Sequence, residues 1–88
     1  MADYIADYAN YLELERHSSD NTISSYVRDV TQFAGYLAEE EDSDLLHCKE
    51  EQIERYLSHM AGKGKSPASM ARGIAALKSF YRYLQSRD

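Results

Sequence analysis

Eighty-eight residues with a formal net charge of −5 make one small domain with a modest core. No apolar run approaches the roughly 18 residues of a membrane span, and Asp3 and Asp7 stand where a secretory signal would need an apolar stretch. A single cysteine excludes an internal disulfide and fits a reducing, cytoplasmic setting.

The first helix is expected from about Asp3 to Arg16, with Ile5, Tyr8, Ala9 and Leu12 as its inner stripe. Tyr4, Tyr11 and Leu14 fall off that stripe, either as half-exposed surface or as a contact for another domain or subunit. His17 and Ser18 turn the chain into a second helix, around which the rest is organised. Ser19 is its N-cap, with a hydroxyl free to accept the backbone N–H of Asn21 or Thr22, and Asp20 suits the positive end of the helix dipole. Ile23, Tyr26, Val27, Val30, Phe33, Ala34 and Leu37 recur at spacings that mark one helical face. On the opposite face Asn21, Ser25, Arg28 and Gln32 form a stripe that no carboxylate interrupts. Amides, hydroxyls and guanidinium groups are what base edges and phosphates accept. The same stripe also reads as an ordinary solvated face.

The acidic run from Glu39 to Asp44 reads as a solvated loop. A third helix follows from about Lys49 to Met60, with Ile53, Tyr56, Leu57 and Met60 inward and Glu50 and Glu51 in its first turn. Gly62 and Gly64 end it in a loop that can adopt positive φ. The fourth helix opens on Ser66 as N-cap and Pro67 at the first helical position. Its expected inner stripe is Met70, Ile74, Leu77, Phe80, Tyr81 and Leu84. Its outer face carries Ala68, Arg72, Ala75, Ser79 and Ser86, rimmed by Lys65, Ser69 and Arg82. Gly73 is costly in mid-helix, by about 1 kcal/mol relative to alanine, and either admits a close helix contact or is neutral. The fold class is therefore all-α, a compact bundle of four amphipathic helices.

The charge is unevenly spread. Met1 to Leu46 holds two cations against eleven carboxylates, and His47 to Asp88 eight cations against four carboxylates. Beyond Gly62 only Asp88 is acidic, so a polyanion would meet a cationic end whatever the net charge. His17, His47 and His59 share no metal-ligand spacing with one another or with Cys48, and Cys48 reads as a small buried hydrophobe. Tyr8, Tyr26, Tyr56 and Tyr81 read as core, and no group of cations stands beside a tyrosine to make it a nucleophile. No catalytic residue, metal or cofactor is expected, and the chain by itself is not read as an enzyme.

Ser19, Asn21, Thr22, Tyr26, Asp29, Phe33 and Leu37 resemble the S-x-N-T-x-x-x-Y-x-x-D-x-x-x-F-x-x-x-L pattern that opens tyrosine recombinases of the Xer and phage-integrase type. Ile53, Tyr56 and Leu57 resemble that family's third-helix pattern, and Ala71, Arg72, Ile74, Ala76, Leu77, Phe80, Tyr81, Tyr83 and Leu84 its fourth, with Lys78 at the basic position. The resemblance runs from about Tyr8 to Leu84. It implies a SAM-like core-binding domain, residues 1–88, excised from a longer recombinase. Such a domain clamps duplex DNA through its second and fourth helices, while a C-terminal domain carries catalysis and the first helix meets a neighbouring protomer. Matched by position, the DNA-binding residues are Asn21, Thr22, Ser25 and Arg28, then Lys65, Ser69, Arg72, Lys78, Ser79 and Arg82. Thr22 falls to the side of its helix, where capping is an alternative role, and Asp29 is expected to pair with a neighbouring helix. Departures are Ser18 for the usual leucine, Lys49 for the usual threonine cap, and Gly73 for a branched residue. Arg28 and Arg72 are expected on one shared cationic saddle, with loss of Arg72 weakening binding more than loss of Arg16. The rival reading is a helical protein-interaction module built on Tyr4, Tyr11 and the acidic half.

Overall fold

The computed structural model describes residues 4–14 and 16–87, in which four helices follow one another: α1 (Tyr4–Leu14), α2 (Asp20–Glu40), α3 (Glu50–Gly62) and α4 (Pro67–Ser86). The expected start at Asp3 lies outside the described residues. The helices α2, α3 and α4 each begin where the sequence supplies a cap. Ser19 Oγ accepts the Thr22 N–H and Ser66 Oγ accepts the Ser69 N–H, both at 3.2 Å. At α3, where Lys49 offers no acceptor, the Gln52 side chain accepts the Lys49 N–H at 2.8 Å instead.

The helix ends are closed by residues in the left-handed region. Gly64 has φ 84°, and Lys65 N–H then reaches back to the Met60 carbonyl at 3.3 Å. His17 (φ 51°) and Asp42 (φ 48°) take the same conformation without being glycine. Behind them the N–H groups of Ser18 and Ser43 bond the carbonyls of Leu12 and Leu37, each at 3.0 Å.

The core forms where all four helices converge. Tyr8, Val30, Phe33, Leu37 and Phe80 are fully buried, and each such side chain contributes about 1.5–3 kcal/mol. Tyr8 meets Phe80 edge-on at 5.2 Å and Phe33 meets Tyr56 at 4.9 Å. Of the four tyrosines read as core, Tyr8 and Tyr56 are buried, whereas Tyr26 and Tyr81 are half-buried. On α4 the buried residues are Ala76, Leu77, Phe80 and Tyr83, while Met70, Ile74, Tyr81 and Leu84 are only half-buried. The reason is that α4 touches all three other helices, so its buried arc is wider than one stripe and turned toward α1 and α2. Cys48 is half-buried, and burial pushes its thiol up from its ordinary value.

The acidic run is not wholly a solvated loop. Glu39 and Glu40 finish α2, and Glu41 folds inward. Arg55 donates to it through Nε at 2.7 Å and Nη2 at 2.8 Å, and the Tyr36 hydroxyl donates at 3.0 Å. These bonds, Arg55 first, hold the Glu41 carboxyl down to about 2. The pair ties the end of α2 to α3.

Two outcomes follow. A folded-state pKa below the ordinary value adds stability that is present above about 4.5 and lost as the pH falls toward about 2. Glu41→Gln should therefore lower the melting temperature near neutrality, with the gap to the parent closing across that acid window in thermal unfolding. A Cβ added at Gly73 meets nothing within 4 Å, which removes the close-contact explanation for that glycine. Gly73→Ala should raise stability by about 0.5–1 kcal/mol, read by denaturant titration.

Candidate nucleic-acid interface

The surface of interest is built along the seam between α2 and α4. Gln32 pairs with Lys65 and Asp29 with Arg72, so residue numbers fall on one helix as they rise on the other and the two run antiparallel. Lys65 Nζ donates to Gln32 Oε1 at 3.1 Å. Arg72 grips Asp29 with two donors, Nε to Oδ2 at 2.9 Å and Nη2 to Oδ1 at 3.3 Å. Asp29 is 4% exposed, so this is a buried carboxylate neutralised by a guanidinium whose side chain keeps 37% of its surface in solvent. Further along, the Tyr8 hydroxyl donates to Ser79 Oγ at 2.8 Å and ties α1 to the same seam. Burial raises the Tyr8 phenol above its usual value, so it stays a protonated donor.

Where α1 ends against this seam there is a cleft of about 260 Å³. Arg16, Lys78 and Arg82 line it with Tyr26, Ala75 and Ser79, and no carboxylate among the described residues does. Lys78 and Arg82 stand one helical turn apart on α4, and Ala75 beside them is too small to block approach. Among the described residues none of the three cations is in an ion pair. Like charges gathered in one concave surface raise the local potential, and an entering anion relieves it.

The residues picked from sequence separate into groups. Lys78, Ser79 and Arg82 come together in the cleft. Lys65 and Arg72 lie along the seam, each bonded to α2. Asn21 and Arg28 are exposed on α2 and Ser25 is half-buried. Arg28 precedes Asp29, so it projects about 100° round the helix from the residue that Arg72 grips. Thr22 and Ser69 are used in capping, their hydroxyls accepting from Ser19 Oγ at 2.9 Å and Ser66 Oγ at 3.1 Å. Arg16, expected to matter less than Arg72, lines the cleft. The available signal was its position, just before the turn at His17 that leads into α2. On the rival interaction surface Tyr11 is half-buried, its ring centroid 6.5 Å from that of Tyr8 and 4.8 Å from that of Tyr83. Tyr4 is half-buried against the core, and Leu14 remains 70% exposed.

Comparison with known proteins points one way. The model of the phage integrase N-terminal SAM-like domain matches residues 5–88. Among curated relatives, tyrosine recombinase XerD of Listeria monocytogenes is 39% identical over 85 residues, which are 96% of this chain and 29% of that protein. Tyrosine recombinase XerC of Lacticaseibacillus casei is 35% identical over 85 residues, 96% of this chain and 28% of its own length. A putative tyrosine recombinase of Caldanaerobacter subterraneus is 34% identical over 80 residues, 91% of this chain and 27% of its own. The chain thus spans less than a third of the relatives it matches. No solved structure matches it significantly.

The seam yields a stability test. Arg72→Ala leaves Asp29 buried without its partner, so it should lower the melting temperature more than Lys78→Ala or Arg82→Ala. Adding Asp29→Asn to Arg72→Ala should recover part of the loss, and strictly additive effects would show that the pair does not couple the helices.

Proposed function

Since the chain belongs to the family of phage integrase N-terminal SAM-like domains, we propose that it is the core-binding part of a tyrosine recombinase and that it grips duplex DNA along the α2–α4 seam. The observation that carries this reading is the cleft in which Arg16, Lys78 and Arg82 gather with no carboxylate among its described lining residues. Arg16, Lys78 and Arg82 neutralise backbone phosphates there, and Ser79, whose oxygen already accepts from Tyr8, keeps its own hydroxyl proton to donate. Lys65 extends the contact along the seam. Asn21, Ser25 and Arg28 supply limited readout of base edges. Arg72 acts in two ways: it fixes the seam through Asp29, and its remaining N–H donors reach phosphate.

Strand cleavage, in this reading, belongs to a separate catalytic domain of the full-length recombinase, and neighbouring protomers on DNA are the other partners. This chain contributes grip and placement. No described helix is long and apolar enough to cross a membrane.

Binding to a labelled duplex, followed by fluorescence anisotropy, should weaken linearly on a log–log plot against salt, with a slope of roughly −0.9 per neutralised phosphate. Arg16→Ala, Lys78→Ala and Arg82→Ala should each weaken binding and flatten that slope by roughly one contact, with the melting temperature unchanged. Arg72→Ala should lower both affinity and melting temperature. An intact fold that binds no duplex at low salt overturns the reading.

A further inference from the structure

Between α3 and α4 lies a second concavity, of about 420 Å³, within the roughly 300–1,000 Å³ typical of binding sites. Ile53 and Leu57 of α3 face Ile74, Leu77 and Tyr81 of α4 across it. Its floor is held open. The Tyr81 hydroxyl donates to the Leu45 carbonyl at 2.8 Å, and its ring meets Phe80 edge-on at 5.3 Å, so the side chain cannot swing over to fill the space. The rims are charged and of opposite sign: Glu50 and Glu54 on α3, Lys78 on α4. Glu50 and Glu54 stand one turn apart on the same face of their helix. Among the described residues neither is in an ion pair.

We propose that this groove docks an amphipathic helix from a partner protein or domain, one that buries an aliphatic stripe between α3 and α4 and sets Lys or Arg residues against Glu50 and Glu54. An apolar trough walled by two helices is what the aliphatic face of a third helix fits. Duplex DNA suits it poorly, because Ile53, Leu57, Ile74 and Leu77 offer no donors and the α3 rim is anionic. A second copy of this chain fits poorly. Among the described residues its exposed large hydrophobics are Leu14 and Leu46. Leu14 shares its face of α1 with Asp7 and follows Glu13, and Leu46 sits in a turn whose N–H bonds the Asp44 carboxylate at 3.0 Å. Both would bring carboxylates onto the Glu50–Glu54 rim. Lys78 lines this groove and the cationic cleft alike, so a docked helix would lie beside the DNA-facing surface.

The proposal does not rest on DNA binding, and its test is separate. The probe is a synthetic helical peptide with leucines at i, i+3, i+4 and i+7 flanked by lysines, compared with a twin in which glutamates replace the lysines. Binding is followed by NMR of the Ile53, Leu57 and Ile74 methyl groups in the 88-residue chain. The expected result is shifts at those methyls and a preference for the lysine peptide of about tenfold or more. The surface variant Glu50→Lys/Glu54→Lys, with its helicity checked by circular dichroism, should reverse that preference. Unshifted methyls, shifts confined to another surface, or a preference unchanged in the variant would overturn the proposal.

Discussion

A carboxylate inside a protein this small must be paired, and Asp29 is paired only because α4 delivers Arg72 to it. That one requirement sets how α2 and α4 lie against each other. With Arg72 on Asp29, Lys65 falls opposite Gln32, and Ser79 meets the Tyr8 hydroxyl. The cleft at the end of α1 follows from the same alignment, because Lys78 and Arg82 are carried on the segment of α4 that the pair has already positioned. Two donors of the guanidinium make the contact directional in a way that apolar packing between the same helices is not. The fully buried rings and aliphatics supply cohesion, and the ion pair supplies register.

Much of this was legible from the residues. Ser19 and Ser66 announce their helices through local chemistry, and the period of apolar residues along α2 identifies its core face without any tertiary information. Asp29 sits beside the polar stripe of α2, which is why a pairing with a neighbouring helix is legible there, and Arg72 of α4 is that partner. What escaped was decided by more than one element at a time. Tyr83 and Ala76 are buried because α4 is wrapped on three sides, and no single-helix projection shows that. Glu41 sits in a run of carboxylates that reads as solvent-facing until Arg55, fourteen residues on, reaches back to it. Arg16 belongs to the cationic cleft because of how α1 ends, and the Thr22 and Ser69 hydroxyls accept from the N-cap serines, a local role that the family pattern does not announce.

The acidic net charge and a cationic cleft coexist because the two signs occupy different parts of the molecule. Several carboxylates are already committed: Asp29 to Arg72, Glu41 to Arg55, Asp44 to His47, and Asp7 to Arg87. Cations in the cleft have no such partner among the described residues, so the field at that surface exceeds what the sum over the chain suggests. The remaining free acids gather partly on α3, at the edge of the apolar groove. The bundle therefore offers two concave surfaces of unlike chemistry that share a single lysine, Lys78.

The turn after α1 carries a cost of its own. His17 sits at φ 51°, a conformation that costs a non-glycine residue roughly 1–2 kcal/mol. Glycine would remove that penalty, yet it would also let the backbone on either side of it wander, and the residue just before it is Arg16. A stabilising exchange at position 17 would thus slacken the aim of a cation that lines the cleft. Thermal robustness and grip pull against each other at this corner, and the imidazole-bearing residue marks where the chain has settled between them.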